Sequence, residues 1–238
     1  MSAETGSPLE LRNAPVQDRS RQRLQRILDV AEALIGARGV DALKMSDVAG
    51  EAGVPIGAVY NFFPNKTALI AHLLSRHLTQ MSERAPVQVF LKSRTTDPVA
   101  YGQVASDAFI DMYDYILQRT AFREIWLGGQ AIQEIRKVDL DDSRRFANAI
   151  APGLKALTPG QSTQEVGAKA LAICHLTGSA MRLALAGTRV EGDRIIKSYI
   201  EMVLSHIGLG GEEIAQVSIR PKYAGRGSGS KTTKGRAP

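Results

Sequence analysis

Gly53 and Pro55 divide the stretch GVDALKMSDVAGEAGVPIGAVYNFFPNKTALI, residues 39–70, into pieces too short to be stable helices by themselves. Whatever forms there must share a core with longer neighbours. One neighbour lies upstream, where Leu24, Ile27, Leu28, Ala31, Leu34 and Ile35 recur at helical spacing up to a stop at Gly39. Ser46 and Asp47 stand where they can cap a second helix through Val48, Ala49 and Ala52, with Gly53 as the left-handed residue that closes it. Pro55 permits a new start, and Gly57 to Phe62 make a third helix, small at its front, that ends before Pro64. Asn65 caps a fourth, in which Leu69, Ile70, Leu73, Leu74 and Leu78 continue an apolar face. Two short helices around a tight turn, braced by longer ones, are an arrangement that puts a helix into a DNA groove.

Ala49, Gly53, Val54, Gly57, Tyr60, Phe63, Pro64, Lys66 and Leu69 together resemble the helix-turn-helix signature of the TetR/AcrR family of one-component regulators. The resemblance implies an all-α homodimer with an N-terminal three-helix DNA-binding domain and a larger C-terminal helical domain for effector binding and dimerisation. On this chain that gives an N-terminal arm over 1–18, a DNA-binding domain over 19–82, a helical domain over 83–208 and a basic disordered tail over 209–238. It places Tyr60 and Lys66 at phosphates, and Asn61 with the front of the third helix toward base edges. Asn61 can pair with an adenine edge, Ile56 or Ala58 can touch a thymine methyl, and Gly57 allows close approach. Ser46 and Phe62 complete the expected DNA-facing set, Phe62 standing where the family often has a polar aromatic residue. Val59 and Phe63 are read as core. Lys44, Pro55 and Ala58 replace a threonine, a serine and a small polar residue of the family pattern. Lys44 then offers charge in place of a hydroxyl, which shifts binding toward salt-sensitive phosphate contact.

The charge needs locating before it is used. Of the net +6, all is carried by Arg220, Lys222, Arg226, Lys231, Lys234 and Arg236, leaving 24 basic and 24 acidic residues in 1–219. That Gly- and Ser-rich end reads either as a non-specific DNA grip or as a solubilising end. Arg19, Arg21, Arg23 and Arg26 open the first helix and adjoin the reading module, so they are expected on flanking phosphates. The single cysteine, Cys174, excludes an internal disulfide and is read as a small buried side chain rather than a redox sensor. His72 and His77 lie five apart, off the one-turn spacing of a helical metal pair, and no phosphate-binding glycine loop or nucleophile motif is present. No cofactor, metal or enzymatic activity is expected. The most apolar stretch, 168–186, is interrupted by Lys169, His175 and Arg182, so no membrane span is expected and a cytoplasmic location is.

Beyond Ser82, Pro86, Pro98 and the SRTTDP stretch read as a linker, followed by a helix from about Val99 to Gln118. Asp107, Asp111 and Asp114 fall opposite its apolar stripe and read as a solvated face. A helix from Ala121 to about Lys137, bent at Gly128-Gly129, and a shorter one before a break over 152–160 come next. The resemblance implies an effector pocket between these helices, with Phe109, Met112, Tyr113, Ile116, Phe122, Trp126 and Phe146 as walls and His175 as a polar group. Such walls suit a small apolar or aromatic effector; the rival is a DNA-binding protein with no small-molecule effector. The last two helices, Ser162 to Ala186 and Glu191 to Gly208, carry an apolar stripe that fits either a subunit interface or a monomer core. The resemblance puts the interface there, on Ala170, Ala180, Ile196, Tyr199, Ile200, Val203 and Ile207.

Overall fold

The computed structural model describes residues 18–220, which form eleven α-helices, one 3₁₀ turn and no strand. α1 (Asp18–Arg38), α2 (Met45–Ala52), α3 (Ile56–Phe62) and α4 (Lys66–Ser82) make a head around one apolar centre. All six apolar residues predicted for α1 are buried. Gly53 adopts φ 63°, ψ 38°, while the Val54 and Gly53 N–H groups donate to the Ala49 and Gly50 carbonyls at 3.0 and 3.2 Å. These two bonds are a Schellman closure, which needs a left-handed residue at Gly53. Asn65 Oδ1 accepts from the Ala68 N–H at 2.8 Å and starts α4 as expected.

α2 does not start as expected. Its N-cap is Lys44, which makes no side-chain cap, and Ser46 instead donates to Asp47 at 3.2 Å. Met45 is buried, so packing of that residue pulls the helix start forward of the polar pair.

The body contains α5 (Ala85–Lys92), α6 (Pro98–Leu117), α7 (Thr120–Gly128), the 3₁₀ turn Gly129–Ala131, α8 (Gln133–Leu157), α9 (Thr163–Ala186), α10 (Arg189–His206) and α11 (Gly211–Gln216). The expected linker thus holds a helix, α5, because Val87 and Phe90 bury against α6 and Pro86 sits in the first turn, where its missing N–H is harmless. α8 runs through Pro152 instead of breaking there. Its last turn is held by buried Leu154 and by Gly153, where a Cβ would lie 2.6 Å from the Ser93 carbonyl and 2.8 Å from the Tyr101 ring. That contact outweighs the one hydrogen bond that an exposed proline removes near a helix end. Ser162 and Glu165 form a reciprocal capping box at α9, and Thr188 caps α10.

Two further expectations are overturned. Asp111 and Asp114 are buried, not solvated, since α5 and α10 cover that flank of α6 and supply Arg84 (2.7 Å to Asp111) and Arg189 (3.1 Å to Asp114); Asp107 alone stays exposed. Residues 209–220 are folded: α11 lies against α6, with Leu209 and Val217 buried over Gly102. The remainder of the expected arm and tail, 1–17 and 221–238, lies outside the described residues.

Candidate nucleic-acid interface and interior cavity

α3 has two unlike faces. Val59 and Phe62 point into the head, three residues apart, while Ile56 and Tyr60, four apart, stand 44% and 43% exposed on the other side. Pro55, Gly57 and Asn61 are exposed beside them, Ala58 is half-buried, and a Cβ on Gly57 would meet nothing. Phe62 therefore belongs to the core, with Phe63 packed against it, and cannot face DNA. Helical periodicity settles the matter, since Phe62 shares the face of Val59. Lys44 and Ser46 are exposed at the front of α2, and Arg19, Arg21 and Arg23 are exposed along α1. Lys66 is half-buried and its Nζ donates to the Asp41 carbonyl at 2.8 Å, which ties the start of α4 to the α1–α2 loop and leaves two ammonium protons.

A charged contact ties α4 to α1 within the head, and an aromatic contact carries α4 on to the body. His77 of α4 is fully buried, with Nε2 3.0 Å from Glu32 Oε1 of α1, and Arg76 pairs with the same carboxylate. The His77 imidazole, against the opposing effect of burial, holds the Glu32 carboxyl below its ordinary value, with help from Arg76. The His77 ring stacks on Phe122 at 4.9 Å and 14°, and Phe122 stacks on Trp126 at 5.6 Å and 15°.

Trp126 forms part of the wall of an interior cavity of about 40 Å³ between α4, α6, α7, α8 and α9. Of the expected walls, Met112, Trp126 and Phe146 line it. Phe109 instead packs on Phe90 and Tyr199, Tyr113 lies under Arg189, Ile116 is core, Phe122 is one row behind Trp126, and His175 stands behind Ser143 at 3.3 Å. A single side of α6 can face one cavity, and only Met112 is on it. Sequence reasoning missed Asp139, Asp142, Ser143, Cys174 and Thr177, which also line it. One signal was available: a buried indole needs an acceptor, and Trp126 Nε1 donates to Asp139 Oδ1 at 3.0 Å. The cavity shares Leu78 and Asp142 with a surface depression of about 180 Å³ bordered by Ser75, Val138, Asp141 and Arg145. Burial pushes the Cys174 thiol up to about 12, which suits a packing residue.

On the far side, Ala170, Ile196, Ile200, Val203 and Ile207 are buried within the chain itself, and Ala180 is half-buried. These are core side chains of the single chain, because α6, α8 and α11 pack on α9 and α10 from inside. The outward large apolar residues of the pair are Leu176, Leu183, Val190 and Met202, at 51%, 62%, 62% and 57% exposure. Leu176 and Met202 border a groove of about 260 Å³ with Tyr199 and Val203 in its lining. No helix of the described residues is long and apolar enough to cross a membrane, and none of them form a three-residue metal-ligating cluster.

A bare recognition helix on a helix-turn-helix head, carried by an all-helical body, defines a DNA-binding regulator. Two family models match: "Bacterial regulatory proteins, tetR family" over residues 27–73, and "Tetracyclin repressor-like, C-terminal domain" over residues 103–207. The chain belongs to the TetR family of bacterial transcriptional regulators and is not an enzyme. It is 36% identical over 64 residues to the HTH-type transcriptional repressor KstR of Rhodococcus jostii (strain RHA1), covering 27% of this chain and 30% of that protein. The chain thus spans less than a third of the length of the KstR proteins it matches. Similarity to the HTH-type transcriptional regulator BetI of Rhizobium meliloti (strain 1021) is lower, 22% over 192 residues, but covers 80% of this chain and 92% of BetI. The crystal structure of RolR in complex with resorcinol has the same fold, with a TM-score of 0.62 at 18% identity over 84% of this chain and 95% of that one.

Proposed function

We propose that the chain is a homodimeric repressor that holds a pseudo-palindromic operator and is released from it by a small, mostly apolar effector. The observation that carries this reading is the stack Trp126–Phe122–His77 and its contact with Glu32, which runs from the wall of a cavity to the first helix of the head. Such a joint gives an effector in that cavity a route to the reading head, which a DNA-binding protein without an effector does not require. The inner cavity alone is small, but Leu78 and Asp142 are common to its wall and to that of the larger depression, so an effector that moves them would join the two spaces. A resorcinol complex of RolR is in keeping with a compact aromatic effector.

The mechanism is a two-state equilibrium. An effector shifts it only by making better contacts in the state whose reading heads are wrongly spaced. α4 links every part: Leu78 touches the cavity, His77 meets Glu32 of α1, and Lys66 anchors the loop before α2. Two subunits joined through the exposed faces of α9 and α10 would carry two copies of α3, to be spaced by about one DNA turn or a multiple, roughly 34 Å each. Tyr60, Lys44 and the α1 arginines then serve phosphates, and Asn61, Ile56 and Ala58 serve base edges.

The test is a titration of the purified full chain against labelled DNA from upstream of its own gene, with a scrambled competitor, at two salt concentrations. A protected two-fold site that survives competition is the expected result. Equal and steeply salt-dependent binding to both duplexes would overturn operator recognition.

A further inference from the structure

We propose that the interior cavity and its mouth select an effector with an apolar or aromatic body and a protonated amine, and reject anionic effectors; this rests on the reading of the cavity as the effector site. The hydrogen-bond inventory of the lining leads there. Ser143 Oγ donates to the Asp139 carbonyl at 2.8 Å and Thr177 Oγ1 donates to the Ile173 carbonyl at 2.7 Å. Ser143 Oγ also meets His175 Nδ1 at 3.3 Å and Thr177 Oγ1 meets Tyr199 OH at 3.0 Å, so neither hydroxyl has a proton to spare for a ligand. The indole proton of Trp126 is engaged by Asp139. Among the residues that line the inner cavity there is no lysine, arginine or histidine, but there are two carboxylates. A ligand entering here meets acceptors, so it must donate.

The two carboxylates are not equivalent. Asp139 already holds Trp126 Nε1 on one oxygen and Arg182, 3.0 Å away, on the other. Asp142 has Arg145, from the next turn of the same helix, as its ion-pair partner. The Asp142 side chain is 14% exposed and that of Arg145 is 51% exposed. Burial pushes the Asp142 carboxyl up against the pull of Arg145, and Asp139 adds to the rise. A half-buried carboxylate whose one counter-charge is a direct pair with an exposed arginine is a place where a second cation can compete. The guanidinium of Arg145 also lies 5.8 Å from the Phe146 ring centre. It occupies the position between an aromatic face and a carboxylate that suits an organic ammonium group. An ammonium that takes its place leaves Asp142 paired, and the Arg145 side chain, 51% exposed, can turn to water. The inner space of about 40 Å³ is smaller than a phenyl ring, so the body of such a ligand would lie against Trp126 and Phe146 by displacing the flexible Met112 and Met181 side chains. A carboxylate in the same place would face Asp142 with Arg145 as its only cation among the lining residues.

The experiment compares three probes with one body, 2-phenylethylammonium, 2-phenylethanol and phenylacetate, on the full chain at neutral pH. Trp126 is the one tryptophan of the sequence and lies in the cavity wall, so its emission reports occupancy directly, with Tm as a second readout. The ammonium probe is expected to bind about tenfold or more tighter than phenylacetate, the worth of one charge-assisted hydrogen bond. Asp142→Asn should weaken the ammonium about tenfold and leave phenylethanol unchanged, whereas Arg145→Ala, at an exposed position, should tighten the ammonium several-fold by removing its competitor. Equal binding of phenylacetate or phenylethanol, or an ammonium affinity indifferent to both variants, overturns the assignment of ligand class while the cavity reading stands. No response of Trp126 or Tm to any of the three overturns the cavity reading itself.

Discussion

His77 Nε2 lies 3.0 Å from Glu32 Oε1, and this contact fastens α4 to α1 at the point where the head meets the body. The carboxylate is shared with Arg76, and the His77 ring is closed off from water by Phe122. A polar joint of this kind specifies one relative placement of two helices more sharply than apolar packing does, because Glu32 is the carboxylate that faces a buried His77 ring whose Nδ1 has no hydrogen-bond partner among the described residues.

The joint has a pH signature. Glu32 is held below its ordinary value of 4.5, so it stabilises the folded state above that value and the stabilisation is lost as pH falls through the lower, folded value. Glu32→Gln should therefore lower stability at neutral pH by about 1–2 kcal/mol, and the gap from the wild type should narrow as pH falls below 4.5. Thermal unfolding of both proteins across that range measures it; a gap that is constant with pH would show that the carboxylate charge is irrelevant to the joint.

Coupling between sites is reciprocal, so DNA must act on the cavity if an effector acts on DNA. Operator binding is expected to change the emission of Trp126, which stands two rings away from the joint. His77→Leu keeps a comparable volume but loses the contact with Glu32, and should bind DNA with an unaltered Trp126 signal. A wild-type protein that binds DNA with no change in emission would remove the stack from the mechanism and leave DNA recognition untouched.

On α3, neighbouring residues should give opposite results. Asn61→Ala should cost about 1–3 kcal/mol on the preferred operator and relax choice at one base position. Tyr60→Phe should weaken binding to every sequence by a similar few-fold factor, as expected for a phosphate contact. Phe62→Ala should leave no specific defect at the DNA and instead destabilise the head by about 3–5 kcal/mol. Anisotropy titrations with single-base operator variants, alongside urea melts, separate the three.

The head was legible in the sequence because each piece carries its own local mark: Gly53 for a left-handed closure, Asn65 for a cap, Pro55 for a start. The body was less so, for a physical reason. Asp111 and Asp114 satisfy the pattern of a solvated face, and only the arrival of Arg84 and Arg189 from other helices makes their burial tolerable. Pro152 is a local stop signal overruled by the close crossing at Gly153. Phe62 was assigned to DNA through the family pattern, against the periodicity that places it beside Val59. In the cavity, apolar walls were foreseen better than the acids, because a pocket's polar groups converge from α8 and α9 and share no spacing along the chain.

Subunit association gives the clearest separation of surface from core. Ile196, Ile200 and Ala170 are enclosed by the chain's own helices, so Ile200→Glu should prevent folding by burying an unpaired charge. Leu176 and Met202 stand on the outside and line a mostly apolar groove, with Leu183 exposed on the same helix as Leu176. A stable dimer buries on the order of 800 Å² or more from each partner, and these residues are the natural centre of such a patch. Met202→Glu placed opposite its own copy would bring two carboxylates into a desolvated contact, a cost of several kcal/mol. The variant should elute and sediment as a folded monomer with wild-type helix content, and should lose most of its operator affinity because the two heads are no longer linked. A Met202→Glu protein that remains dimeric at micromolar concentration would move the interface away from α9 and α10.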